Sequence, residues 1–159
     1  MAKTKEIALQ REFLKFCRTK IWTNPQAVTL TFKQGRQAGA VWVRLTRDGA
    51  QQNLRHFRNV VHKQLGRHGF PKSAPLQCIP VFEGTDFVRT HVHLMLDRPD
   101  GIPPAEYAAM IEREWQRTRW GHRLVTVEPC YDDDGWLSYI SKLRTKEDFA
   151  DAIDWTNFS

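Results

Sequence analysis

Two stretches of helical period each lie between stretches of strand period, and that alternation leaves few folds open to the chain. From Asp48 to about Arg67, Leu54, Phe57, Val61 and Leu65 make one apolar stripe, flanked by Arg55, Arg58, Lys63 and Arg67. A second helix is predicted from Pro103-Pro104, where proline suits a first turn, to about Thr118, with Tyr107, Ile111 and Trp115 on its buried side. Ahead of the first helix, "AVTLTF" (Ala27 to Phe32) is rich in β-branched residues and reads as a strand. "VWVRLT" (Val41 to Thr46) reads as a further strand, and the glycines of "QGRQAGA" between the two mark a loop. Between the helices, "PLQCIPVFE" and "VRTHVHLML" are two strands joined through the turn residues "GTD". "RLVTVEPC" closes the series after the second helix.

The order β-α-β-β-α-β is that of the split βαβ unit. It predicts an α+β, ferredoxin-like domain: an antiparallel sheet with helices packed on one face, the other face left open to a ligand. The 159 residues suit a single domain spanning 1–159. Residues 1–24 add a basic amphipathic helix, with Leu9, Phe13, Phe16 and Cys17 on one face. After the last strand, the loop "YDDDG" leads to a short helix "WLSYISKL", and residues 144–159 read as an acidic tail.

Charge points to an anionic partner. Lys and Arg outnumber Asp and Glu by 24 to 18, a net charge of +6, and the excess is concentrated in residues 1–72. Nucleic acid is the commonest partner of such a surface. No apolar run reaches membrane-spanning length and no signal-peptide core is present, so the expected location is cytoplasmic with no membrane partner. The three cysteines show no paired spacing, which argues against a zinc knuckle or a disulfide framework.

The most informative stretch is "FEGTDFVRTHVHLML", Phe82 to Leu96. Strand alternation puts His91 and His93 on one face and Val92 and Leu94 on the other. A hairpin between the two strands sets Glu83 opposite or diagonal to His91. Two imidazoles and one carboxylate form a mixed nitrogen–oxygen site for a divalent cation such as Mn²⁺ or Mg²⁺. A structural histidine pair on a sheet is the plainer alternative.

A cation polarises a phosphodiester but leaves open what attacks it: water or a side chain. Of three tyrosines, Tyr107 sits on an apolar helix face and Tyr131 beside an acidic loop. Tyr139 lies on the short helix with Lys142 one turn on, where an ammonium favours the phenolate. Tyr139 also fits as a widening of the Trp136, Ile140 and Leu143 stripe. Asp134 suits a helix cap, with Asp132 and Asp133 solvated. Arg36, Arg44, Arg47, Arg55 and Arg58 are candidates to line a nucleic-acid strand, and Trp42 to stack on a base.

These pieces resemble the HUH endonucleases, which include rolling-circle replication initiators, relaxases and small single-tyrosine transposases. His91-Val92-His93 matches the His-hydrophobic-His signature, and Glu83 ahead of it is similar to the initiators of small circular single-stranded replicons. "YISK" (Tyr139 to Lys142) resembles the tyrosine motif. "TLTF" (Thr29 to Phe32) resembles the first motif but departs from its aromatic-proline ending.

The resemblance implies site-specific nicking and joining of single-stranded DNA. Glu83, His91 and His93 would hold the metal, Tyr139 would form a 5′-phosphotyrosine, and Lys142 would assist. It implies a DNA hairpin or origin as partner. No phosphate-loop motif occurs, so unwinding would fall to a separate helicase. A transposase would work as a dimer and an initiator as a monomer. The remaining alternative is a non-catalytic ferredoxin-like module that grips single-stranded nucleic acid on its sheet.

Overall fold

The computed structural model of the chain describes residues 2–84, 89–130 and 149–159. Helix α1 (Ala2–Arg18) precedes strand β1 (Pro25–Phe32), a β2–β3 ribbon (Gly35–Ala38 and Val41–Arg44) and α2 (Arg47–Gly66). Strands β4 (Cys78–Glu83) and β5 (His91–Asp97), α3 (Pro104–Gln116) and β6 (Gly121–Pro129) follow, then the short α4 (Phe149–Ala152). The main sheet has order β4-β5-β1-β6, with every pairing antiparallel. This is the expected α+β, ferredoxin-like arrangement.

Strand alternation divides the sheet into two faces. Val28, Leu30, Phe32, Phe82, Val92, Leu94 and Leu96 point one way and pack under α2 and α3. There Trp115 is fully buried, edge-on to Phe32 and Phe57 at 4.9 and 5.4 Å between ring centroids. Its indole N–H donates to the Thr31 carbonyl at 2.9 Å, so the largest core ring is also tied to the sheet. Burying such a ring contributes about 3–5 kcal/mol.

Local chemistry sets the helix ends. Thr46 caps α2, its hydroxyl accepting from Gly49 N at 3.0 Å. Pro104 takes the first position of α3, where no amide hydrogen is needed. The turn into β6 requires glycine, because a Cβ on Gly121 would lie 2.0 Å from the Trp115 carbonyl oxygen.

Three features differ from the sequence reading. First, "QGRQAGA" is not a loop: Gly35–Ala38 pairs with Val41–Arg44 as a two-stranded ribbon outside the main sheet. Its polar residues carry little strand signal, and cross-strand bonding supplies what propensity does not. Second, the α1 stripe is narrower than expected. Phe13 and Cys17 are buried, whereas Leu9 and Phe16 are exposed at 37% and 52%.

Third, residues 149–159 of the acidic tail are folded. Ile153 bridges Val81, and Ser159 and Cys78 exchange backbone hydrogen bonds of 2.9 and 3.0 Å. The segment thereby covers the outer edge of β4, which would otherwise offer unpaired groups. Pro80 is tolerated there because its carbonyl faces this segment and accepts from Asp154 N. Asp154 is fully buried yet well satisfied: its carboxylate accepts from Gln51, Thr156 and Asn157.

The second face of the sheet is therefore half covered. Phe13, Cys17, Ala152 and Ile153 pack on Ile79, Val81 and Met95, at the β4–β5 side. The β1–β6 side of that face keeps Leu124 58% exposed. Among the described residues, no helix is long and apolar enough to cross a membrane.

Candidate metal centre

His91 and His93 lie at the start of β5 on the second sheet face, at the boundary between its covered and open halves. The β4–β5 register pairs Glu83 with His91 and Val81 with His93. Directly paired residues share a face, so the Glu83 carboxylate is delivered to the two imidazoles. Glu83 Oε2 lies 3.2 Å from His93 Nε2 and 3.9 Å from His91 Nε2. The two rings meet edge to face, 4.8 Å apart at 89°. One potential ligand atom from each residue falls within a 4.8 Å span. The three side chains thus form a cluster able to hold a metal ion.

The second nitrogen of each ring is held as well. His91 Nδ1 lies 3.0 Å from the Arg89 carbonyl, which can only accept, so the hydrogen sits on Nδ1. His91 Nε2 then presents a lone pair towards Glu83. His93 Nδ1 lies 3.1 Å from Thr29 Oγ1, across the β1–β5 pairing of Thr29 with His93. In metal-bound histidine one ring nitrogen is usually fixed by a hydrogen bond of this kind while the other faces the metal.

Burial grades the site. His93 is only 6% exposed, whereas His91 and Glu83 are half-buried. The cluster is therefore closed at His93, the cross-strand partner of Val81, and open at His91 and Glu83. Three protein ligands leave coordination positions on that side for a water or a phosphate oxygen.

Trp42 and Arg44 are exposed on the β2–β3 ribbon. With Gln34, Gly35, Leu45, Gly84 and Thr90 they line a groove of about 710 Å³. Gly84 and Thr90 adjoin Glu83 and His91 in the chain, so the groove reaches the strand ends that carry the cluster, while the three cluster side chains themselves do not line it. Arg36 is partly spent within the fold, its guanidinium 5.4 Å from the Trp120 ring centroid.

Arg55 and Arg58 belong to α2, on the helix-covered side of the sheet, and are not brought to the histidines. Arg58 donates to Leu76 O and Ser159 Oγ. Arg47 donates to Asp151 O at 2.5 Å and lies 4.1 Å from the Phe82 ring centroid. Burial lowers its pKa, opposed by the charges of Asp154 and Asp151. It clamps the C-terminal segment. Tyr107 is core, as expected: its hydroxyl donates to Asp97 O, and burial holds its pKa well above the ordinary phenol value.

Tyr139, Lys142 and Asp132 to Asp134 lie outside the described residues. The described residues on either side are Cys130, whose amide donates to Pro25 O, and Phe149, the first residue of α4.

The sequence reading missed Thr29 and the Arg89 carbonyl as supports of the imidazoles. Thr29 was legible only as a face: it alternates out of the apolar set Val28, Leu30 and Phe32. Its partner across β1 and β5 depends on register. No protein-family model, curated protein or solved structure matches the chain.

Proposed function

We propose that the protein is a metal-dependent single-stranded DNA nickase and joining enzyme of the HUH type, acting as in rolling-circle replication initiation. The observation that carries this reading is the convergence of Glu83 Oε2 with His91 Nε2 and His93 Nε2 on an accessible sheet face, each imidazole held through its other nitrogen. The donor set favours Mn²⁺ or Mg²⁺, with two imidazoles tilting the balance to Mn²⁺. Glu83, His91 and His93 would hold the divalent cation, which would supply Lewis-acid polarisation of the scissile phosphate. The net charge of +6 supports a polyanionic substrate.

Tyr139 is assigned as the nucleophile on the resemblance of "YISK" to the family motif. Its phenolate oxygen forms a bond to phosphorus while the bond from phosphorus to the 3′-oxygen breaks. The 3′-oxygen leaves and takes up a proton, and the 5′-phosphate remains esterified to Tyr139. Lys142 stabilises the phenolate before attack. The bond energy is kept in the phosphotyrosine, so a free 3′-hydroxyl can reverse the step and join strands.

The test is incubation with Mn²⁺ and a 5′-labelled and 3′-labelled pool of single-stranded oligonucleotides of randomised sequence. A protein adduct stable to detergent, carrying the 3′ label and lost in Tyr139→Phe and His93→Ala, is the expected result. Strand binding with no adduct in the parent would leave a binding module and end the nickase reading.

A further inference from the structure

The geometry points to a nucleotide subsite in the groove between the β2–β3 ribbon and Gly84 and Thr90, the chain neighbours of two metal-cluster residues, where Trp42 stacks on the unpaired base flanking the scissile phosphate and Arg44 meets the strand's backbone. The inference rests on the reading of the cluster as a strand-cleavage site. It adds a place for the neighbouring nucleotide and a reason for a single strand over a duplex.

The indole is presented as a platform. A Cβ on Gly35 would meet Trp42 Nε1 at 2.6 Å and two indole carbons at 2.7 Å, so one side of the ring lies directly on the glycine backbone. Trp42 is nevertheless 63% exposed, which leaves the other side to solvent. Covering a glycine with an aromatic ring does stabilise a ribbon. It does not require the exposed ring to share a groove with Arg44, Gly84 and Thr90.

The ribbon is firmly anchored. Phe32 N donates to Thr90 O and Lys33 N to Trp120 O, at 2.9 and 2.8 Å. Leu45 N donates to Gln34 O at 2.9 Å, and Thr90 N to Gln34 Oε1 at 3.1 Å. The platform is thus fixed to the start of β5, the strand that carries both histidines.

A groove of about 710 Å³ suits a nucleotide-sized ligand. Its lining combines an aromatic face with one arginine and the polar Gln34 and Thr90. That mixture matches a base and its phosphate better than it matches an apolar peptide. In a duplex the base faces are already stacked, so only an unpaired base can lie on Trp42.

The experiment measures binding of a fluorescein-labelled mixed-sequence single strand by anisotropy, in EDTA, so that neither metal nor Tyr139 enters. Trp42→Ala is expected to weaken binding roughly tenfold, with Trp42→Phe restoring most of it. Arg44→Ala is expected to weaken binding and flatten its salt dependence. Gly35→Ala, which displaces the indole, is expected to act like Trp42→Ala. A lowered melting temperature in Trp42→Ala with unchanged strand affinity would reduce the indole to a ribbon support and overturn the subsite. Absence of strand binding by the parent would do the same. If the strand binds through Trp42 but the parent forms no adduct with Mn²⁺, the nickase reading fails and the subsite stands. If the adduct forms and Trp42→Ala binds as the parent does, the reverse holds.

Discussion

Replacing Thr29 with valine isolates the metal function of the histidine pair from its structural role. The Thr29 hydroxyl lies 3.1 Å from His93 Nδ1 and touches no metal-facing atom. Valine keeps the branched shape and the strand preference and removes only the polar partner. In the metal-free protein, one lost hydrogen bond costs about 1 kcal/mol, or roughly 2–4 °C in melting temperature for a chain of this length.

Metal affinity should fall much further. Without its partner the His93 ring is free to turn and to exchange tautomers, and loss of such a support costs ~10–100-fold in affinity. With Mn²⁺ at about a hundred times the parent's dissociation constant, binding adds about 2.7 kcal/mol to parent stability. The same concentration adds only about 0.4–1.4 kcal/mol to the variant. The parent should therefore gain roughly 5–10 °C on Mn²⁺ addition and Thr29→Val roughly 1–5 °C. Scanning calorimetry with and without Mn²⁺, beside isothermal titration of the ion, reads both quantities. Equal Mn²⁺ affinity in parent and variant, with binding still lost in His93→Ala, would refute the support role. No response to Mn²⁺ in the parent would refute the metal centre itself.

Three further outcomes are expected. Trp115→Ala should lower the unfolding free energy by about 3–5 kcal/mol, because it empties the middle of the core and removes the bond to Thr31 O; chemical denaturation measures it, and a loss under 1 kcal/mol would contradict the packing described. Asp154→Ala should loosen the C-terminal segment by removing the acceptor shared by Gln51, Thr156 and Asn157, raising amide exchange at Ser159 and Cys78 before any change at β1. Burial raises the thiol pKa of Cys17 from 9.0 to about 12 and of Cys78 to about 11. The fold holds those protons more tightly than the unfolded chain does, so this stability is complete below pH 9 and is lost as pH climbs towards 11–12. The urea midpoint should accordingly fall above pH 9, less steeply in Cys17→Ala/Cys78→Ala, and at pH 8 a thiol reagent should modify half-buried Cys130 ahead of the two buried thiols.

What the sequence determined by itself is periodic and local. The stripe of Leu54, Phe57, Val61 and Leu65 announced α2 to within a residue at each end, and the Pro103-Pro104 pair announced the start of α3. Alternation in "HVHLML" put both imidazoles on one face, since a strand has no other way to arrange alternate residues. The order of elements then left the split βαβ sheet as the economical fold.

Tertiary structure decided everything that depends on which strand lies beside which. Register set Glu83 opposite His91 and Thr29 beside His93, turning two histidines on a face into a supported three-residue cluster. Ribbon pairing made strands of residues that on propensity alone read as a loop. Residues 144–159 read only as an acidic tail, six of them charged, yet Asp154 is buried where Gln51 and Asn157 meet it. A carboxylate's cost of burial depends on its partners: Thr156 and Asn157 are its chain neighbours, but Gln51, about a hundred residues away, leaves no mark on local sequence.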